Sequence, residues 1–127
     1  MQICTHLMFE SGAEEALNFY VGLVPGSEIH EIQRYDSGDL EGKLQFGSLT
    51  LAGREFIFID SPVPQDFGFT PAMSIFVECE TSSELERLYE SLAEGGQVLM
   101  PLDNYGFSQY FGWLNDRFGV SWQINLP

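Results

Sequence analysis

Basic residues are scarce in this chain: five Lys and Arg stand against nineteen Asp and Glu, for a net charge of −14. A field of that sign repels phosphate backbones and anionic headgroups, so neither nucleic acid nor a membrane surface is an expected partner. Cysteine is scarce as well. Cys4 and Cys79 lie far apart and form neither a CxxC motif nor a disulfide framework, so the fold has to rest on its core. No apolar run approaches the roughly 20 residues of a membrane span. The opening MQICTHLMF lacks the basic n-region and small-residue cleavage site of a signal peptide, so a cytoplasmic location is expected. The chain also has no glycine-rich strand-to-helix turn of a nucleotide-binding sheet, no P-loop and no GxSxG elbow. Doubly wound cofactor enzymes and triad hydrolases are therefore not indicated.

What the chain does have is apolar and aromatic. Hydrophobic residues make up 44% and aromatic residues 14% of 127 positions, enough for one domain over residues 1–127 with a packed core. Ile3 to Glu10 reads as a strand, with Cys4, His6, Met8 and Glu10 on one face. Ser11-Gly-Ala-Glu14 then has the form of a capping box. Apolar residues at Ala13, Ala16, Leu17, Tyr20, Val21 and Val24 follow helical spacing until Pro25-Gly26 stops them. Strands are expected over Glu28 to Tyr35, Lys43 to Leu51 and Arg54 to Asp60, the last two joined by a tight turn at Ala52-Gly53. The prolines of 61–71 mark a linker between a first module of about 1–62 and a second of about 72–127.

Beyond the linker the order begins again. Met73 to Cys79 is a strand, Thr81-Ser-Ser-Glu84 a second capping box, and Leu85, Leu88, Tyr89, Leu92 and Ala93 a helical stripe that Gly95-Gly96 ends. Gln97 to Leu102, Tyr110 to Leu114 and Val120 to Leu126 follow as strands. The last two form a hairpin across Asn115-Asp-Arg-Phe-Gly119. Both halves read β-α-β-β-β and align at an offset of 68 to 70 residues, with Ser11 on Thr81 and Glu14 on Glu84 at 70. An internal duplication accounts for this.

A duplicated unit of this kind resembles the vicinal oxygen chelate superfamily, which includes glyoxalase I, extradiol dioxygenases and the bleomycin and fosfomycin resistance proteins. The segments AEEALNFY, IQRY, IDSPV, FTPAMSIFVEC, GGQVLMPL and GWLNDRFGVSWQINLP resemble, more narrowly, the PhnB-like family, whose domain is named for 3-demethylubiquinone-9 3-methyltransferase. The resemblance implies an α+β fold of two βαβββ modules that form a curved, cup-shaped mixed sheet. It also implies a ligand site on the concave side and a homodimer. Metal-using members carry four ligands on their strands. Those positions fall here at Thr5 or His6, at Ile57 or Phe58, at Ser74 or Ile75, and at Gln123. Only His6 and Gln123 suit a divalent ion, which wants several converging donors, so no metal or other cofactor is expected.

The expectation is a protein that binds a small aromatic or oxygenated molecule, with His6 and Gln123 as candidate catalytic residues. Arg34, Asp60, Ser74, Tyr110, Trp113 and Trp122 are the candidate ligand contacts. Arg34 either pairs with an acidic neighbour or offers its fork to a ligand. The alternative is a lyase, isomerase or dioxygenase of the same superfamily in which His6 serves as base or ligand and Gln123 polarises an oxygen. A methyltransferase, as the domain name states, finds no support in the residues. Cys4 and His6 share a strand face, but side chains two apart on a strand are too separated for a thiolate pair.

Overall fold

The computed structural model describes residues 1–127. The chain falls into two compact units, Met1–Gly68 and Phe69–Pro127. The first holds β1 (Thr5–Phe9), α1 (Ala13–Leu23), β2 (Glu28–Arg34), β3 (Leu44–Leu51) and β4 (Arg54–Asp60). The second holds β5 (Ile75–Glu78), α2 (Ser82–Ala93), β6 (Gln97–Asp103), β7 (Tyr110–Asn115) and β8 (Ser121–Leu126). No helix is long and apolar enough to cross a membrane.

Each unit is a four-stranded mixed sheet with one helix. The strand orders, β1-β4-β3-β2 and β5-β8-β7-β6, are the same order written twice. In both, the first strand lies parallel to the last, and the remaining pairs are antiparallel. The duplication read from the sequence is therefore present in topology as well as in element order.

In the first unit α1 packs on β3 and β4. It buries Ala13, Ala16, Leu17 and Tyr20 against Leu44, Leu49, Phe56 and Phe58. Tyr20 meets Phe58 edge-on at 5.8 Å, and Phe9 lies 5.1 Å from the same ring. Each such apolar side chain contributes roughly 1.5–3 kcal/mol by leaving water. Gly47 is required here: a Cβ at that position would stand 2.9 Å from Leu17 and 3.0 Å from Leu44. The β3–β4 turn has Ala52 at φ 51° and Gly53 at φ 88°, the two left-handed residues of a primed hairpin turn.

The start of α1 differs from the sequence expectation. Gly12, not Ser11, occupies the cap position in the left-handed region, and no side chain of its own segment caps the helix. The Ala13 amide instead donates to Asp60 Oδ1 at 2.9 Å, while the Leu44 amide donates to Asp60 Oδ2 at 2.8 Å. A carboxylate 47 residues away thus caps the helix and fastens β3, favoured by the positive end of the helix dipole. Glu14, left free by the missing box, forms a bidentate pair with Arg34 at 2.8 and 2.5 Å. That guanidinium holds the Glu14 carboxyl below its ordinary range. The cap at α2 matches its expectation, since Thr81 Oγ1 accepts from the Glu84 amide at 3.1 Å.

In the second unit α2 packs on β7 and β8 and buries Leu85, Leu88 and Leu92. The β7–β8 turn is organised by Asp116, which is 3% exposed. Its Oδ1 accepts from the Phe118 and Val120 amides at 2.8 and 3.0 Å, and its Oδ2 accepts from Trp122 Nε1 at 2.9 Å. Gly119, at φ 89°, closes the turn by donating to the Asp116 carbonyl.

Candidate functional site

Strand alternation assigns every side chain of the second unit to one of two faces. Gly112 marks the helix face, because a Cβ there would stand 3.0 Å from the Tyr89 ring of α2 and 2.7 Å from Leu102. Leu114, Trp122 and Ile124 share that face through the β7–β8 register and are fully buried. The opposite face carries Phe111, Trp113 and Asn115 from β7, Ser121, Gln123 and Asn125 from β8, and Phe76 from β5. No helix of the unit covers it.

On that uncovered face four side chains join in one hydrogen-bonded chain. Trp113 Nε1 donates to Ser121 Oγ at 2.9 Å. Ser121 and Ser74 share a bond at 2.7 Å, and Gln123 Nε2 donates to Ser74 Oγ at 3.2 Å. The register explains the convergence: Trp113 pairs with Gln123 across β7–β8, Ser121 precedes Gln123 by two on the same face, and Phe76 pairs with Gln123 across β5–β8. Ser121 is 1% exposed, whereas Phe76 is 54% exposed. The result is a polar thread with a buried root and an accessible end, set between two aromatic side chains.

Three of the expected site residues, Ser74, Trp113 and Gln123, are therefore brought together. Ser121 was not among them, although the alternation Ser121-x-Gln123-x-Asn125, polar against Trp122, Ile124 and Leu126, separates the two faces in the sequence itself. Trp122 and Tyr110 do not join the group. Trp122 is fully buried beneath α2 with its N–H on Asp116, and Tyr110 belongs to the helix face with Gly112. Trp122 has no surface for a ligand. Its expected contact role is corrected by the alternation that points Trp113 outward and Trp122 inward.

In the first unit, His6 is exposed and pairs with Ile57 across β1–β4, and Ile57 pairs with Ser48 of β3. These three lie on the face opposite Gly47 and Phe58, away from α1. Asp60 is 3% exposed with both oxygens engaged by backbone amides, so its expected ligand role gives way to a structural one. Arg34 is exposed and its fork is taken by Glu14, the first of the two outcomes the sequence left open.

The register also decides which positions of the two modules correspond. His6 pairs with Ile57 as Phe76 pairs with Gln123. The second module's counterpart of His6 is thus Phe76, one or two residues beyond the expected Ser74 or Ile75. Of the four corresponding positions, Ile57 and Phe76 carry no donor atom. No three His, Cys, Asp or Glu side chains converge anywhere in the chain. These residues do not fit the donor set a divalent ion wants.

A family model described as 3-demethylubiquinone-9 3-methyltransferase matches residues 1–125. The chain belongs to that family. A solved structure of a PhnB protein from Bacillus cereus is 51% identical over the whole of both chains, with a TM-score of 0.96. Protein PA1353 from Pseudomonas aeruginosa is 29% identical, covers 99% of this chain and 97% of its own, and has a TM-score of 0.86. A glyoxylase/bleomycin resistance protein/dioxygenase domain from Frankia sp. EAN1pec shares the fold at 14% identity and a TM-score of 0.68, over 99% of this chain and 91% of its own. The family member described here is a PhnB-like protein of α+β vicinal-oxygen-chelate fold.

Proposed function

We propose that this family member binds a small neutral molecule with aromatic character, without a resident metal ion. The observation that supports it is the uncovered face of the second unit, where the Trp113–Ser121–Ser74–Gln123 thread lies between Trp113 and Phe76. Binding sites for small molecules combine apolar surface with a few placed polar groups, and here a polar thread is flanked by two aromatic side chains. The charge of −14 favours a neutral ligand over an anionic one. Nuclear magnetic resonance titration with a panel of neutral aromatic compounds tests the reading, through shifts of the Trp113 indole and the Gln123 side-chain amide. Elemental analysis after dialysis tests the second clause: one tightly held divalent ion per chain would overturn it.

An enzymatic reading has His6 as its one supporting observation, an exposed imidazole on the uncovered face of the first unit. Under that reading His6→Ala and Gln123→Ala each lower turnover without unfolding the protein; unchanged turnover in both removes it. The activity in the family's description would need a bound methyl donor. The strand-to-helix turns available for one, Glu10-Ser11-Gly12 and Cys79-Glu80-Thr81, are not glycine-rich, so calorimetry with S-adenosylmethionine is expected to give no heat. We also expect a homodimer. Ile3 and Met73, each two residues ahead of the corresponding edge strands β1 and β5, are 85% and 78% exposed. Sedimentation equilibrium measures this, with a monomer at all concentrations as the contrary result.

A further inference from the structure

From the direction of the hydrogen bonds in the thread we infer the ligand's chemical class: an aromatic carboxamide or lactam, recognised by its amide edge. This inference rests on the binding reading above and refines it. An indole N–H can only donate, so Trp113 fixes Ser121 as acceptor at the buried end. Ser121 is 1% exposed, and its own hydroxyl hydrogen has one partner within reach, Ser74 Oγ at 2.7 Å. Burying that hydrogen unpaired would be costly, so Ser121 donates to Ser74. Ser74 Oγ also accepts from Gln123 Nε2, which fills its acceptor capacity and leaves its hydroxyl hydrogen to be given outward.

Gln123 Oε1 is the other free group, an acceptor on the same side chain that touches Ser74. The accessible end of the thread thus offers one donor beside one acceptor. The complement is an acceptor beside a donor on one rigid edge, which is a carboxamide or a lactam. A carboxylate fails because it brings no donor to Oε1, and an ester or ketone satisfies half of the pair. The ring of the ligand would lie against Phe76 and Trp113, the residues paired with Gln123 on either side.

The test is a titration of the whole chain with benzamide, methyl benzoate and ethylbenzene, followed by the indole resonances and by tryptophan fluorescence, in the native protein and in Ser74→Ala and Gln123→Met. Benzamide is expected to bind about tenfold more tightly than methyl benzoate, the worth of one well-made additional hydrogen bond, and about a hundredfold more tightly than ethylbenzene, which makes neither bond. Each variant should abolish that preference, bringing benzamide toward the affinity of ethylbenzene measured in the same variant. Two variants are used so that misfolding of one does not remove the test. Equal binding of all three probes, or a preference that survives both substitutions, overturns the amide assignment and leaves the binding reading standing. Absence of any response from the Trp113 indole to all three overturns both.

Discussion

Replacing Asp60 by Asn changes one atom and should cost the fold dearly. In the native chain the carboxylate is 3% exposed, with Ala13 N on Oδ1 and Leu44 N on Oδ2. An amide oxygen can serve one of these donors, but the amide nitrogen must then face the other, leaving one buried N–H without an acceptor. Hydrogen bonds to a charged acceptor contribute about 1.5–3 kcal/mol each, and an orphaned buried donor costs about 1–3 kcal/mol. The expected loss for Asp60→Asn is therefore about 2–3 kcal/mol, a substantial share of the roughly 5–15 kcal/mol that holds a domain together. For a chain of this length each kcal/mol lowers Tm by about 4 °C, so a drop of about 10 °C should appear in thermal unfolding. Asp60→Ala orphans both donors and should fall further. Urea titration should show a lower midpoint at an unchanged slope, because the surface exposed on unfolding is the same. A Tm within about 2 °C of native for Asp60→Asn would refute the double-cap reasoning. If such a variant were stable but lost ligand binding, Asp60 would regain the contact role that the sequence suggested.

The two glycines Gly96 and Gly22 should respond to alanine in opposite directions. A Cβ on Gly96 would stand 2.2 Å from the Asn115 carbonyl oxygen, backbone that cannot yield, so Gly96→Ala should destabilise by about 3 kcal/mol or more. Gly22 lies inside α1 with open space around it, and Gly22→Ala should stabilise by about 0.5–1 kcal/mol in the same urea assay. The cysteines offer a chemical contrast. Cys4 is exposed, whereas burial, helped by the Glu84 charge, pushes the Cys79 thiol from 9.0 up to about 11. Iodoacetamide at mildly alkaline pH should alkylate Cys4 and spare Cys79, as mass mapping will show; equal labelling would contradict the burial. Because the folded Cys79 keeps its proton longer than the unfolded chain does, its contribution to stability is complete below the ordinary thiol range. It should decline as pH rises through that range toward about 11, in urea midpoints measured across the interval.

The strands and helices were legible because each carries its own period, and their ends fell within a residue or two of expectation. Two features were not. The cap of α1 was assigned to Ser11 because a capping box is a local pattern, while the group that fills the position comes from Asp60, which only the β1–β4 pairing brings near. The expected correspondence of the first strands, Thr5 or His6 with Ser74 or Ile75, takes an offset of 69. The strand register runs at 70, with the Thr70–Met73 turn holding Ser74 off the ladder. A hydrogen-bonded register is a property of two strands, and one strand's sequence does not contain it. In the candidate site Gln123 is legible from the sequence, but Ser121, which links Trp113 to Ser74, is hidden by size: a serine between Val120 and Trp122 looks like a concession to packing. Trp113 and Trp122, both expected as ligand contacts, separate onto opposite faces because Trp113 pairs with Gln123 and Trp122 with Leu114 across β7–β8.

That strict alternation has a consequence for how such a protein changes over time. Along β4, Phe56, Phe58 and Asp60 hold the helix and the cap, while Ile57 and Ile59 between them hold neither. Mutations at the intervening positions therefore leave the helix packing and the cap untouched. Substitutions at Ile57, at Phe76 or in the Ser74–Gln123 pair can accumulate while the scaffold stays the same. The architecture is written on alternate letters of the strand, and the letters between them can be edited without erasing it.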